Sequence, residues 1–250
     1  MHTPVSSKKE WFGEWFDSPY YHLLYQHRDT TEARKFMDAL ASFMGFFPEQ
    51  RLLDLACGKG RHSIYLNRQG YQVEGVDLSR QSIAHAQQFS NPRLQFAVHD
   101  MRQVYKPQHF DIILNLFTSF GFFQDDQQHL NAIQATAASL KPGGFLVIDF
   151  FNTALVVNSL VRENQEERDG ITFHLKRYIE DQTVVKDIQL EDSGKFYHYQ
   201  ERVRALEEQD FRRYFTKSDL EVVHLFGNYQ LDFFHPKMSD RMIFIVRKKK

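Results

Sequence analysis

From Arg51 to Phe151 the chain alternates short apolar runs with polar stretches that suit helices. The runs are RLLDLA, YQVEGVD, LQFAVHD, FDIILNLF and GGFLVIDFF, and the helical stretches between them cover roughly 61–68, 79–89 and 124–140. Few folds accept this pattern. Parallel strands cannot be joined by a tight turn, and a crossover helix lying on the sheet face is the usual solution. The expectation is therefore an α/β chain whose sheet is doubly wound and mostly parallel.

The pattern changes after Phe151. ITFHLKRYIED, QTVVKDIQLED and KFYHYQERVRAL read as three strands separated by the tight turns EDQT and EDSGK. That predicts an antiparallel β-meander over about 171–206, inserted after the fifth strand, with no room for helices. A helix over 207–215 returns to LEVVHLF and then to RMIFIVRK, joined by a short loop that suits an antiparallel pair at one end of the sheet. The core would then have seven strands, the last of them antiparallel. Ahead of it, SSKKEWFGEWFDSPYYHLLYQ is aromatic and amphipathic, with Asp17 or Ser18 placed to cap a helix carrying Tyr20 to Tyr25. A second helix carries Phe36, Leu40 and Phe43 on one face. The organisation read from this is a helical lid over 1–48, a core over 49–151, the meander insert over 152–206 and a return to the core over 207–250.

Composition narrows the partners. Lys+Arg 31 against Asp+Glu 32 leaves a formal net charge of -1, so no global field draws the chain to nucleic acid or an anionic membrane. The terminal RKKK reads as a solvated tail. No run approaches the length of an apolar membrane span, and the first residues show no signal-peptide core. With Cys57 as the single cysteine, no disulfide can form within the chain, and a cytoplasmic setting is expected. The 24 Phe residues point to an aromatic core or pocket. His22, His62, His99, His129 and His224 lack metal-ligand spacing, and no metal is expected.

The segment RLLDLACGKGRHS raises the question of a ligand. An apolar run ends in a small-residue loop that opens a helix, and in an open parallel sheet ligands bind beyond the carboxyl ends of the strands. The dinucleotide fingerprint G-x-G-x-x-G fails in both registers, because its third glycine would fall on Ser63 or Arg61. Asp54, Ala56, Gly58 and Gly60 instead give D-x-A-x-G-x-G. This resembles the first motif of the class I S-adenosylmethionine-dependent methyltransferases, with Ala56 replacing its first glycine. The resemblance implies a Rossmann-like sheet, S-adenosyl-L-methionine as cofactor and S-adenosyl-L-homocysteine as product. The position of Cys57 would contact the cofactor through its backbone, with no nucleophilic role.

Three further marks follow in order at strand ends. Asp77, 17 residues after Gly60, can accept hydrogen bonds from both ribose hydroxyls, with Leu78 beside it. By resemblance Asp100 would bond the adenine amino group and Met101 would pack on the ring, while Asn115 and Leu116 would line the methionine end. Nucleic-acid N-methylating relatives often carry N-P-P-Y at that last place, and NLFT lacks the prolines, which argues against a flipped base. The layout is also similar to small-molecule N-methyltransferases, including those acting on deoxyamino sugars, so a small-molecule acceptor is expected.

Tyr21 and Tyr25 either pack their helix on the sheet or face the acceptor, and Arg28 would pair with the cofactor carboxylate. His198 and Tyr199 alternate on the meander, so one of them faces inwards. The expected chemistry is in-line displacement by an N or O nucleophile on the sulfonium methyl, with no catalytic residue identified. The alternatives are an RNA or tRNA methyltransferase and a non-catalytic S-adenosylmethionine-binding protein; a nicotinamide oxidoreductase lacks its third glycine. Oligomeric state is not legible from these residues.

Overall fold

The structure, a computed structural model, describes residues 11–26 and 30–250. In chain order the elements begin with the helices Trp11–Phe16 (α1), Pro19–Leu24 (α2) and Thr30–Met44 (α3). The core continues as Arg51–Leu55 (β1), Arg61–Arg68 (α4), Gln72–Asp77 (β2), Arg80–Ala86 (α5), Leu94–Val98 (β3), Phe110–Asn115 (β4), Asp126–Ser139 (α6) and Leu140–Phe151 (β5). Thr153–Asn158 (α7) leads to Glu163–Arg168 (β6), Ile171–Glu180 (β7), Thr183–Asp192 (β8) and Lys195–Arg204 (β9). Glu208–Thr216 (α8), Leu220–Phe226 (β10) and Arg241–Lys248 (β11) complete the chain.

The main sheet has seven strands in the order β10-β11-β5-β4-β1-β2-β3. Strands β1 to β5 are parallel, and β11 enters antiparallel to both β5 and β10. Both faces are covered, so successive residues go to opposite layers. Leu52, Ile112, Val147 and Ile245 pack with Phe36 and Leu40 of α3, Leu66 of α4 and Ile83 of α5. Their neighbours Leu53, Ile113, Leu146 and Phe244 pack with Ile133 of α6 and Phe211 and Phe215 of α8. The abundant Phe residues fill this second layer, where Phe211 lies 5.1–6.1 Å from the rings of Phe120, Phe150, Phe215 and Phe244.

The insert has four strands, ordered β6-β7-β8-β9, rather than the three read from the sequence. The additional strand, β6, has the sequence ENQEER, with no apolar alternation to mark it. It is an edge strand held by its ladder to β7. On the inner face of this sheet, Phe173, Leu175, Ile188 and Leu190 form a separate core with Trp15, Tyr20 and Leu24 of the N-terminal helices. Ser18, not Asp17, caps α2, accepting from Tyr20 N at 3.2 Å with Pro19 at the first helical position. No helix among the described residues is long and apolar enough to cross a membrane.

Candidate cofactor site

The carboxyl ends of β1, β2, β3 and β4 bring residues 56–60, 77–79, 100–101 and 115–118 to one edge of the sheet. The first turn is tightly pinned. Cys57 N donates to Val76 O at 3.0 Å, Gly60 N to Cys57 O at 3.0 Å and Ile64 N to Gly60 O at 2.8 Å. Ala56, Gly58 and Gly60 all have left-handed φ, at 65°, 55° and 77°. Ala56 stands where the resembled motif has its first glycine. Its φ shows that it bears strain, roughly 1–2 kcal/mol for an L-residue in this region. A Cβ on Gly60 would lie 2.6 Å from the Phe96 ring, whereas one on Gly58 would project into open space. Gly58 therefore leaves free the volume above the loop, where a ligand can approach bare backbone.

Two carboxylates flank this volume. Asp77 Oδ2 accepts from Gly58 N and Oδ1 from Ser79 N, both at 2.8 Å. A carboxylate offers about four acceptor sites, so room remains for two hydroxyl donors. Asp54 is buried and accepts from Ser63 Oγ at 2.6 Å. Burial, with the charge of Asp77 adding to it, pushes Asp54 up to about 6, and burial likewise raises Asp77. Such a place suits a ligand carrying positive charge and disfavours a pyrophosphate. Cys57 lies between them; burial first, then both carboxylates, push its thiol far up, which removes it as a nucleophile. Leu78 leaves 43% of its surface exposed beside Asp77, an apolar face open to a ring.

Asp100 is more engaged than the sequence implies. It accepts at Oδ1 from Arg102 N at 2.9 Å and Arg102 Nε at 3.0 Å, and at Oδ2 from Arg102 Nη2 at 2.6 Å. Burial pushes its carboxyl up, but these bonds and the guanidinium charge outweigh that and hold it below the usual range. Met101 packs partly buried against the aromatic layer. Asn115 donates from Nδ2 to Leu55 O at 3.0 Å, while its buried Oδ1 has no partner among the described residues. Asn115 borders a small cavity with Met101, Phe120 and Thr136, with room for about one water molecule. Leu116 is buried beside it.

Above this edge, the N-terminal segment touches both sheets. Ser79 Oγ donates to Asp17, two residues beyond Asp77, and Phe16 packs on Phe122 at 5.3 Å. On the insert, Trp15 Nε1 and Tyr25 O–H both donate to Glu201 Oε1, at 2.7 and 2.6 Å. Lys186 Nζ donates to Tyr25 Oη at 2.5 Å. Tyr21 lies in the same aromatic group, 5.0 Å from Phe16 and 5.1 Å from Tyr25. Tyr199 faces inwards against Trp15 at 4.9 Å. His198 faces away, 3.3 Å from Asp187 on the exposed surface of the sheet, so its placement with the acceptor residues is corrected. Strand alternation requires this once Tyr199 points in. Arg28 lies outside the described residues.

Asp149, Arg241, Tyr229, Thr118 and His62 also reach this edge but carry no sequence motif. A carboxylate inside the apolar run GGFLVIDFF was the available signal for Asp149. Among the described residues no cluster of His, Cys, Asp or Glu could hold a metal ion.

Residues 52–144 match the model of a methyltransferase domain family. YqeM of Bacillus subtilis, named as a methyltransferase, is 35% identical over 107 residues, 41% of this chain and 43% of that protein. The dTDP-3-amino-3,4,6-trideoxy-alpha-D-glucopyranose N,N-dimethyltransferase of Streptomyces venezuelae is 27% identical over 154 residues, 61% of this chain and 65% of its own. The chain thus spans less than two thirds of either relative. An S-adenosylmethionine-dependent methyltransferase from Clostridium acetobutylicum shares the fold with a TM-score of 0.77 at 21% identity, covering 92% of this chain and 96% of that one. Residues 52–144 are thus similar to a methyltransferase domain, and the chain shares its fold with S-adenosylmethionine-dependent methyltransferases, in keeping with the sheet order.

Proposed function

We propose that this protein transfers a methyl group from S-adenosylmethionine to a nitrogen or oxygen of a small-molecule acceptor. The observation that carries the reading is the open space above Gly58, whose N–H is held by the half-buried carboxylate of Asp77, with Asp54 buried in the preceding strand. Asp77 would hold the ribose hydroxyls and Leu78 one face of the adenine. Asn115 Oδ1, lacking a partner, would take a donor directly or through a single water. Asp100 would accept the adenine amino group only by sharing lone pairs already used by Arg102. The cofactor supplies an activated methyl on a sulfonium, open to in-line attack. The chain's part is then to align the reactants and keep water out, and alignment alone can lower such a barrier by roughly 7–11 kcal/mol.

An acceptor would approach the methyl beside the N-terminal segment, on the side of Tyr21, with Tyr25 and Tyr199 holding that segment to the insert. The aromatic character there suits an amine on a compact polar molecule. The amino-sugar N,N-dimethyltransferase relative supports that acceptor class. The test is calorimetric titration of ligand-free protein with S-adenosylhomocysteine and, separately, with NAD. Micromolar binding of the first and none of the second is expected. Binding of NAD alone would overturn the cofactor reading, and an acceptor screen over amines and hydroxyls follows the expected result.

A further inference from the structure

The loop after β4 is held in an unfavoured shape by groups from two other strands. Phe117 and Thr118 both have left-handed φ, at 58° and 61°, and neither is glycine or asparagine. The fully buried Asp149 of β5 binds both: Phe117 N donates to its Oδ2 at 2.7 Å and Thr118 N to its carbonyl at 3.1 Å. Arg241, which opens β11, donates from Nε to Asp149 Oδ1 and from Nη2 to Thr118 Oγ1, each at 2.8 Å. Tyr229 O–H donates to Asp149 Oδ2 at 3.3 Å. The loop held this way carries the Phe117 ring onto His62 in the first turn of α4, with centroids 4.6 Å apart. Its shape therefore sets the gap between the end of β4 and the helix that opens from the glycine loop.

We infer that Asp149 and Arg241 are positioning residues for the cofactor, acting through the 117–118 turn. Backbone strain kept at a site by surrounding bonds marks a conformation needed there. An ion pair that served only to tie β5 to β11 would need no bond to Thr118. It would leave the turn free to relax to an ordinary φ. The inference rests on the proposed cofactor site, because residues 115–116 form the adjoining wall.

The test titrates S-adenosylhomocysteine into the wild type, Arg241→Lys, Arg241→Lys with Thr118→Gly, and Thr118→Val. Lysine keeps the charge opposite Asp149 but lacks the planar fork that reaches both partners. Binding by Arg241→Lys is expected to weaken about tenfold or more. Adding Thr118→Gly, which permits positive φ without strain, should recover at least about threefold of that loss. Thr118→Val removes only the oxygen that Arg241 reaches and should weaken binding by about three- to tenfold. Affinity of Arg241→Lys within about twofold of the wild type overturns the inference, as does a loss that Thr118→Gly leaves unchanged. Should Arg241→Lys fail to fold, Thr118→Val carries the test, and affinity within about twofold of the wild type overturns the inference. A wild type that does not bind overturns the cofactor reading itself, an outcome distinct from any loss confined to the variants.

Discussion

At the scale of single residues, Asp77 and Ala56 test opposite demands on the same turn. Asp77→Ala removes the proposed acceptor for two ribose hydroxyls, each bond to a charged group contributing roughly 1.5–3 kcal/mol. The dissociation constant for S-adenosylhomocysteine should rise at least about tenfold. An unchanged constant in a folded variant would sink the ribose assignment. Ala56→Gly should stabilise the protein, because relief of roughly 1–2 kcal/mol of left-handed strain exceeds the roughly 0.5–1 kcal/mol of added chain entropy. A urea midpoint that moved down would show that the Ala56 methyl packs better than its φ implies. Asp54 gives the turn a pH dependence. Its carboxyl is raised from 3.8 to about 6, so the stability tied to its protonated form is fully present below 3.8 and lost as pH rises through about 6. The ligand-free protein should therefore gain stability relative to Asp54→Asn between pH ~7 and ~4.5, by something on the order of 2 kcal/mol. A constant gap between the two proteins across denaturation curves in that window would rule this out.

At the scale of elements, α8 fixes the aromatic layer beneath the site. Phe211→Ala should cost about 3–5 kcal/mol, because the fully buried ring leaves a cavity among four other aromatic side chains. Thermal unfolding checks this, and a loss below ~1 kcal/mol would mean the layer collapses onto the space. The strands and helices of the core were legible because burial on both faces forces near-continuous apolar runs, and the glycine loop because its signal is local. Where burial is weak, the signal fails. The polar β6 gains its place from backbone pairing and from polar contacts to β7, such as Arg177 Nη1 to Asn164 Oδ1 at 2.5 Å. Around His198, KFYHYQ puts aromatics on both faces, and Phe196 is 84% exposed, so alternation told that His198 and Tyr199 diverge but not which points in. The 117–118 turn was silent for another reason. Its left-handed φ is imposed by Asp149 and Arg241, which lie 92 residues apart, and not by a local glycine.

At the scale of the whole molecule, the N-terminal segment is the element that sees both sheets. Trp15 is 1% exposed and anchors the segment to the insert through Tyr199 and Glu201. Two residues on, Asp17 accepts from Ser79 beside the proposed ribose acid. Trp15 belongs to the small core of the insert and to neither layer of the main sheet. Loosening it should therefore free the segment while the seven-stranded sheet stays folded. Trp15→Ala is expected to speed S-adenosylhomocysteine dissociation by about tenfold, because a ligand covered by the segment leaves only when the segment opens. The association rate should change less, since affinity differences between related complexes reside mostly in dissociation. Stopped-flow displacement measures both rates, and hydrogen exchange in β1, β4 and β5 checks that the core is intact. A dissociation rate equal to that of the wild type, with the segment shown by exchange to be loosened, would mean that the segment packs on the insert without closing over the ligand.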